Sequence, residues 1–134
     1  MKLRLPQALL AQVTLEARKA LPGECCGLLL GHRDGDLASA VALHPARNLS
    51  PERERFQIAP DDHFPAVRRA RSAGLQVIGC YHSHPHGQAA PSAADLAGAG
   101  EEDFVWLIAT PDAMAAFVYS RGRFTGADLV TSSS

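Results

Sequence analysis

The sequence predicts a single α/β domain in which a mixed β-sheet is sandwiched by helices. The chain has 134 residues, enough for one domain with its own hydrophobic core. Residues 25–31 are almost entirely apolar, as in a strand whose sheet is covered on both faces. The order of helical and strand segments along the chain is that of a layered α/β domain. We expect this domain to span residues 1–130, and we expect residues 131–134 to form a frayed tail.

The first half of the chain begins with a predicted helix over residues 6–21. Leu10, Val13, Ala17 and Leu21 recur on one face of this helix, and a Pro-Gly pair ends it. Beyond it we predict strands at residues 25–31 and 37–44, an exposed charged loop, and a short strand at residues 56–58.

The second half begins with a predicted helix from Pro60 to about Gly74, since proline favours the first helical turn and glycine favours the end. The last two strands of the chain should form a hairpin across Arg121-Gly122. The remaining predicted elements are strands at residues 76–80, 104–110, 114–119 and 124–130, and a helix that starts at Ser92.

The composition excludes several classes of protein. The formal net charge of −1 offers no electrostatic basis for binding nucleic acid or a membrane surface. No segment has transmembrane length, and Pro6 and Gln7 interrupt the apolar run that a signal peptide would need. Three cysteines form no disulfide framework, so the simplest location is the reducing cytoplasm.

The strongest chemical signal is a His-x-His pair, His82 and His84, directly after the apolar run of residues 76–80. Side chains two positions apart on an extended chain point the same way, so both imidazoles can face one point. The helix that starts at Ser92 carries Asp95 on its first turn. Two imidazoles and one carboxylate, with a fourth position open, are the ligand set of a catalytic zinc site.

An alternative interpretation needs no metal. His-x-His pairs occur by chance, and residues 92–95 form an ordinary capping box between Ser92 and Asp95. The two interpretations compete, because a carboxylate that reaches back to cap its own helix should not be able to direct both oxygens at a metal.

A second polar residue in an apolar segment favours the interpretation of a metal site. Glu24 opens the otherwise apolar strand of residues 25–31, which is costly unless the carboxylate is paired or used. Together the two segments resemble the JAMM (MPN-plus) metallopeptidases, whose pattern is an upstream Glu, then His-x-His-Pro, then Ser and Asp at fixed offsets. This sequence fills every position of that pattern, with Glu24, His82, His84, Pro85, Ser92 and Asp95. The resemblance extends over nearly the whole chain and implies a cytidine-deaminase-like architecture.

The resemblance also implies a role for each residue. His82, His84 and Asp95 would hold one Zn²⁺ per chain at the end of the motif strand. Glu24 would carry a proton from the attacking water to the leaving amine, the alternative being a surface charge at a strand end. Ser92 would donate its hydroxyl to the developing oxyanion, the alternative being a plain helix cap.

The implied substrate is a ubiquitin-like protein, because JAMM enzymes cleave peptide or isopeptide bonds at the C-termini of ubiquitin and its relatives. Only eight residues, 96–103, separate Asp95 from Phe104, which leaves no room for the insertion that polyubiquitin-specific members carry. The compact chain resembles the prokaryotic branch that processes ubiquitin-like sulfur-carrier proteins. We expect a partner that ends in Gly-Gly, because glycine lets the backbone approach a metal closely. The sequence contains no signal for an oligomeric state.

Other functions on a similar fold are less well supported. A cytidine deaminase would need His-x-Glu and a later Pro-Cys-x-x-Cys, and neither pattern is in the sequence. A non-catalytic MPN-type scaffold would keep the fold without the ligands, all of which are present here. A cysteine peptidase would need Cys25, Cys26 or Cys80 beside an activating base, whereas small apolar strand residues explain them better. His86 is predicted to lie exposed in the turn after the motif.

Overall fold

The computed structural model describes residues 1–48 and 60–132. Within these ranges the chain forms seven strands and three helices, numbered in chain order. They are β1 (Lys2–Pro6), α1 (Gln7–Ala20), β2 (Cys26–Asp34), β3 (Leu37–Ala46), α2 (Pro60–Ser72), β4 (Gln76–Ser83), α3 (Ala93–Gly98), β5 (Phe104–Ala109), β6 (Met114–Ser120) and β7 (Arg123–Ser132). The predicted short strand at residues 56–58 lies outside the described residues.

The seven strands form one closed sheet in the order β1-β3-β2-β4-β5-β6-β7. The sheet is mixed, as predicted: β1 is parallel to β3 and β7, β4 is parallel to β5, and the other neighbours are antiparallel. The predicted mixed sheet sandwiched by helices did not include closure: β1 pairs with β3 on one side and with β7 on the other, so the sheet closes into a barrel. Closure removes the two open edges that such a sheet would expose. The relation to a cytidine-deaminase architecture stays a prediction.

Strand β1 was missed, and it is the strand that closes the barrel. Leu3 and Leu5 are fully buried while Lys2 and Arg4 are exposed, which is the alternation of a strand with one face inward. The strand is only five residues long and leads directly into α1. Its alternation of buried and exposed residues therefore covers too few positions to be recognised next to the longer helical pattern.

The C-terminal boundary also differs from the prediction. Strand β7 runs through Ser132, with Thr131 paired to Leu5 and Ser132 paired to Pro6. The ordered domain therefore extends at least two residues beyond 130, and the first two residues of the predicted tail belong to the sheet. The predicted hairpin between β6 and β7 is confirmed. Arg121 and Gly122 both have positive φ, as a two-residue hairpin turn of type I′ requires.

The two longer helices pack against different hydrophobic clusters. One cluster contains Leu29 of β2 together with Val13 of α1. The other contains Leu28 and Leu30 of β2 together with Ala66 and Ala70 of α2. Because neighbouring side chains of a strand point to opposite faces, α1 and α2 cover opposite faces of β2.

Helix α1 is held against the motif strand by a buried tyrosine. The Tyr81 hydroxyl of β4 donates a hydrogen bond to Glu16 Oε1 at 2.6 Å, and Gln12 Nε2 donates to Glu16 Oε2 at 3.1 Å. The Tyr81 ring lies across Gly27 of β2, where a Cβ would overlap the ring. Glycine at position 27 therefore allows the close approach by which α1 and β4 are joined.

The antiparallel pairing of β2 with β4 positions the motif. Cys26, at the start of β2, is the partner of His82, near the end of β4. The residue that precedes β2 by two positions, Glu24, is thereby brought to the end of β4 where the histidines lie. In the part of the chain that the structure describes, no helix is long and apolar enough to cross a membrane.

Candidate metal centre

The end of β4 brings His82 and His84 together. They are two positions apart and both are buried, with exposed fractions of 0% and 8%. Their Nε2 atoms lie 3.0 Å apart. Two imidazole nitrogens this close, in a region with little water, form a preorganised pair of donors for a cation.

Asp95 supplies the third group from α3. Its Oδ1 lies 3.1 Å from His82 Nε2, and its Oδ2 lies 3.2 Å from His84 Nε2. The carboxylate is also part of the predicted capping box: Ser92 N–H donates to Asp95 Oδ2 at 2.9 Å, and Asp95 N–H donates to Ser92 Oγ at 3.1 Å. The expected competition between capping and facing the histidines was wrong, because each carboxylate oxygen can accept two hydrogen bonds or bind two partners.

The three groups fit a zinc ion. Ligands placed tetrahedrally about 2.0–2.1 Å from zinc are about 3.3–3.4 Å from one another. The donor atoms of His82, His84 and Asp95 are separated by 3.0 Å, 3.1 Å and 3.2 Å, close to those values. Two imidazoles and one carboxylate also have the intermediate softness that zinc prefers. These residues could therefore hold zinc with one coordination position left over.

Glu24 lies beside this group. It is only 5% exposed, so the alternative of a surface charge at a strand end was wrong. One of its carboxylate oxygens and one ring nitrogen from each of His82 and His84 lie within 4.8 Å of one another. Glu24 could thus be considered a ligand in place of Asp95. The shorter separations at Asp95 favour Asp95 as the ligand and leave Glu24 at the distance of a neighbouring acid or base.

The peptide group between Glu24 and Cys25 is held by polar side chains at both its carbonyl oxygen and its N–H. Asn48 Nδ2 donates to the Glu24 carbonyl oxygen at 3.1 Å. The next backbone N–H, that of Cys25, donates to Ser83 Oγ at 2.9 Å. Sequence reasoning missed Ser83 and Asn48. A signal for Ser83 was available, since it lies between the two histidines and must point to the opposite face of the strand, where a buried hydroxyl needs a partner.

Burial and hydrogen bonding set the charge of each group. Burial lowers the pKa of His82, which favours the neutral imidazole that can bind a metal. Burial alone would raise the pKa of Asp95, but hydrogen bonds with His82 and His84 outweigh it and hold that pKa well below its ordinary value. The centre therefore combines an ionised carboxylate with a neutral His82.

The ring of His84 has a defined orientation. Its Nδ1 lies 3.0 Å from the Gln88 carbonyl oxygen, which can only accept, so Nδ1 carries the proton. In the neutral ring Nε2 is then the free lone pair, the form that can bind a metal. In the protonated ring Nε2 carries a proton and donates it to Asp95, which raises the pKa of His84, and the bond from Nδ1 to Gln88 acts in the same direction.

The remaining candidates are resolved by their environment. Ser92 is half-buried, and its Oγ accepts from the Asp95 N–H, so its hydroxyl proton stays available for donation. His86 is exposed, as predicted. Burial raises the pKa of Cys25 and raises that of Cys80 well above its ordinary value, so neither thiol is activated as a nucleophile.

Fold and site together define a class of protein: a small α/β domain whose closed mixed sheet presents a buried His-His-Asp set, suited to zinc, next to a buried glutamate. Residues 6–120 match the family model described as prokaryotic homologues of the JAB domain. The chain belongs to this family, which confirms the predicted resemblance to the compact prokaryotic JAMM type.

Two curated relatives match about two thirds of the chain. A protein named desampylase from Haloferax volcanii is 37% identical over 92 residues, which are 68% of this chain and 65% of the relative. A second desampylase, from Pyrococcus furiosus, is 29% identical over 85 residues, 63% of this chain and 58% of the relative. The matches thus span about three-fifths of the length of these relatives.

A solved structure agrees over almost the whole chain. The solution structure of a protein from Desulfitobacterium hafniense has a TM-score of 0.90 and 30% sequence identity, and the match covers 98% of this chain and 94% of that one. The two proteins therefore share the same overall fold.

Proposed function

We propose that this protein is a zinc-dependent peptidase that hydrolyses a peptide or isopeptide bond at the C-terminus of a ubiquitin-like protein. The observation that carries the proposal is the convergence of His82, His84 and Asp95 beside the buried Glu24. Membership of the JAB family and similarity to two proteins named desampylase support the same activity.

The metal ligands in this proposal are His82 Nε2, His84 Nε2 and the Asp95 carboxylate. The chemistry that zinc supplies when bound is Lewis acidity, which makes water a competent nucleophile near neutral pH. The Gln88 carbonyl fixes the His84 ring, and the Ser92 N–H fixes the Asp95 carboxylate. The ligand set is thus preorganised by groups that are not themselves ligands, which limits the rearrangement needed on binding.

Two further residues handle protons and charge. Glu24 takes a proton from the attacking water at its carboxylate and returns it to the leaving amine as the C–N bond breaks. Its burial beside the proposed ligands favours this role, because a proton carrier must lie close to the reacting groups. Ser92 donates its hydroxyl to the oxygen of the scissile carbonyl as negative charge develops there.

The proposed partner is a ubiquitin-like carrier, in particular a sulfur-carrier protein, with a flexible tail that ends in Gly-Gly. A tail without side chains can approach buried ligands at a strand end more closely than a tail with larger residues. The three cysteines of the chain are free, which fits a protein of the reducing cytoplasm.

The direct test is mass spectrometry of a carrier with an extended C-terminus after incubation with the zinc-loaded protein. We expect a product that ends in Gly-Gly, no such product with a carrier in which Gly-Gly is changed to Ala-Ala, and little cleavage of casein. Equal cleavage of all three substrates would refute the proposed specificity.

The second candidate function is a non-catalytic MPN-type scaffold. The complete donor set is the observation against it, because a scaffold has no need to keep three converging metal ligands. Purified protein without stoichiometric zinc, and without cleavage after zinc is added, would favour the scaffold.

A further inference from the structure

A cavity of about 260 Å³ lies directly beside the metal centre. It is lined by Ser83 and His84 at the end of β4 and by Ala17 and Leu21 at the end of α1. Thr110, just after β5, also lines it. The volume is slightly below the range of about 300–1,000 Å³ usual for ligand pockets, so the cavity suits a short peptide segment and not a folded partner.

Arg18 is the feature of this cavity that indicates a ligand. It lies in the last turn of α1 and lines a cavity whose described walls carry no acidic side chain. Among the residues that the structure describes, no hydrogen bond or ion pair joins its guanidinium to the protein. A cation at a helix C-terminus is common for dipole reasons alone, but Lys19 would serve that purpose equally and does not line the cavity.

We propose that this cavity binds the leaving segment of the substrate, the one or two residues that follow the scissile bond, and that Arg18 binds the terminal carboxylate of that segment. This inference rests on the proposed function. A planar guanidinium that has no partner among the described residues is well matched to a carboxylate, which it can bind through two parallel hydrogen bonds.

The geometry favours the leaving side over the carrier side. The carrier tail continues into a folded domain, whereas the leaving segment ends after one or two residues, which a cavity of about 260 Å³ can accommodate. Before cleavage, the leaving segment is also the side of the substrate that carries a free carboxylate. His84 lines the cavity and belongs to the proposed ligand set, so an occupant is adjacent to the reacting bond.

The consequence is a preference between two reactions that share one site. Water adds to the glycine carbonyl carbon, the C–N bond breaks, and Glu24 delivers the proton to the departing amine. In a C-terminal extension that amine belongs to a residue or dipeptide with a free carboxylate for Arg18. In an isopeptide conjugate it belongs to a lysine side chain within another protein, and no terminal carboxylate follows. The cavity therefore selects short C-terminal extensions.

The test compares two carriers that differ only in the end group of a single residue after Gly-Gly, one with a free carboxylate and one with a carboxamide. For the wild-type protein we expect kcat/KM to be on the order of 10-fold higher for the acid than for the carboxamide. This factor is at the lower end of the range for a charge-assisted hydrogen bond, because the site is partly exposed. Arg18→Ala should lose this preference through a higher KM for the acid, and Arg18→Lys should recover part of it. Lys19→Ala is the matched control and should keep it.

A binding measurement separates recognition from chemistry. In the Glu24→Gln background, calorimetry should show tighter binding of the acid than of the carboxamide, and adding Arg18→Ala should remove the difference. Equal use of both carriers by the wild type, or an unchanged preference in Arg18→Ala, would overturn the inference and leave the proposed function standing. Absence of any cleavage by the zinc-loaded wild type would overturn the proposed function and this inference with it.

Discussion

Ser83 and Cys25 are joined by two hydrogen bonds. The Ser83 hydroxyl accepts from the Cys25 backbone N–H at 2.9 Å, and the Ser83 N–H donates to the Cys25 carbonyl oxygen at 3.2 Å. The pair links the segment just before β2 to the end of β4. Since Cys25 follows Glu24 and Ser83 separates the two histidines, the link fixes the proposed proton carrier relative to the proposed ligands.

Loss of the Ser83 hydroxyl should slow catalysis without removing zinc. In Ser83→Ala the partly buried Cys25 N–H loses its acceptor, which costs about 1–3 kcal/mol and lets the Glu24 backbone shift. We expect a lower kcat with zinc content near that of the wild type, and partial recovery in Ser83→Thr, which restores a hydroxyl. A variant that only melts at lower temperature and keeps its kcat would show that the link is purely structural.

Replacement of a proposed ligand should remove metal and activity together. His84→Ala deletes one of three donors, so we expect elemental analysis to show a large loss of zinc and the cleavage assay to show no product. Zinc should also raise the melting temperature of the wild type and not that of the variant, because a metal stabilises only the state that binds it. The matched control is His86→Ala, an exposed histidine two positions further on. Full zinc in His84→Ala would contradict the assignment.

Glu24→Gln should separate binding from chemistry. The amide cannot accept and return a proton, so the rate should fall by at least about 10²-fold, while zinc and fold are retained. Glu101→Gln, which changes an exposed carboxylate, is the control and should leave the rate unchanged. Zinc analysis of Glu24→Gln distinguishes a proton carrier from a metal ligand. Loss of zinc would make Glu24 a ligand, and a normal rate with normal zinc content would exclude both roles.

Substitutions of Ser92 should separate the oxyanion role from the capping role. Ser92→Ala should slow catalysis by about 10²–10³-fold if the hydroxyl stabilises the oxyanion, and should cost about 1 kcal/mol of stability through the lost cap. Ser92→Gly is the sharper variant, because glycine at an N-cap costs only a few tenths of a kcal/mol yet removes the hydroxyl. We expect both variants to be slow and only the alanine variant to melt clearly earlier. Normal rates in both would leave the serine as a cap.

The features that the sequence predicted correctly depend on neighbours within a few residues. Alternation along an extended chain put His82 and His84 on one side, and a helix start at Ser92 put Asp95 in the first turn. The hairpin at Arg121-Gly122 likewise follows from a local signal, a glycine that readily adopts positive φ between two strand patterns. Each of these patterns lies within a single strand, helix start or turn. It can therefore be identified without knowing what that element packs against.

The features that only the tertiary structure decided depend on pairing between distant segments. Strand β1 closes the barrel against β7, about 126 positions away between Lys2 and Asp128, and no local pattern specifies that register. Ser83 and Cys25 are 58 positions apart, and their bonds exist because β2 runs antiparallel to β4. The capping box and the approach of Asp95 to both histidines coexist because α3 places the first-turn carboxylate beside the end of β4. Sequence alone identified the candidate side chains for the chemistry, and the packing of strands and helices determined how they meet.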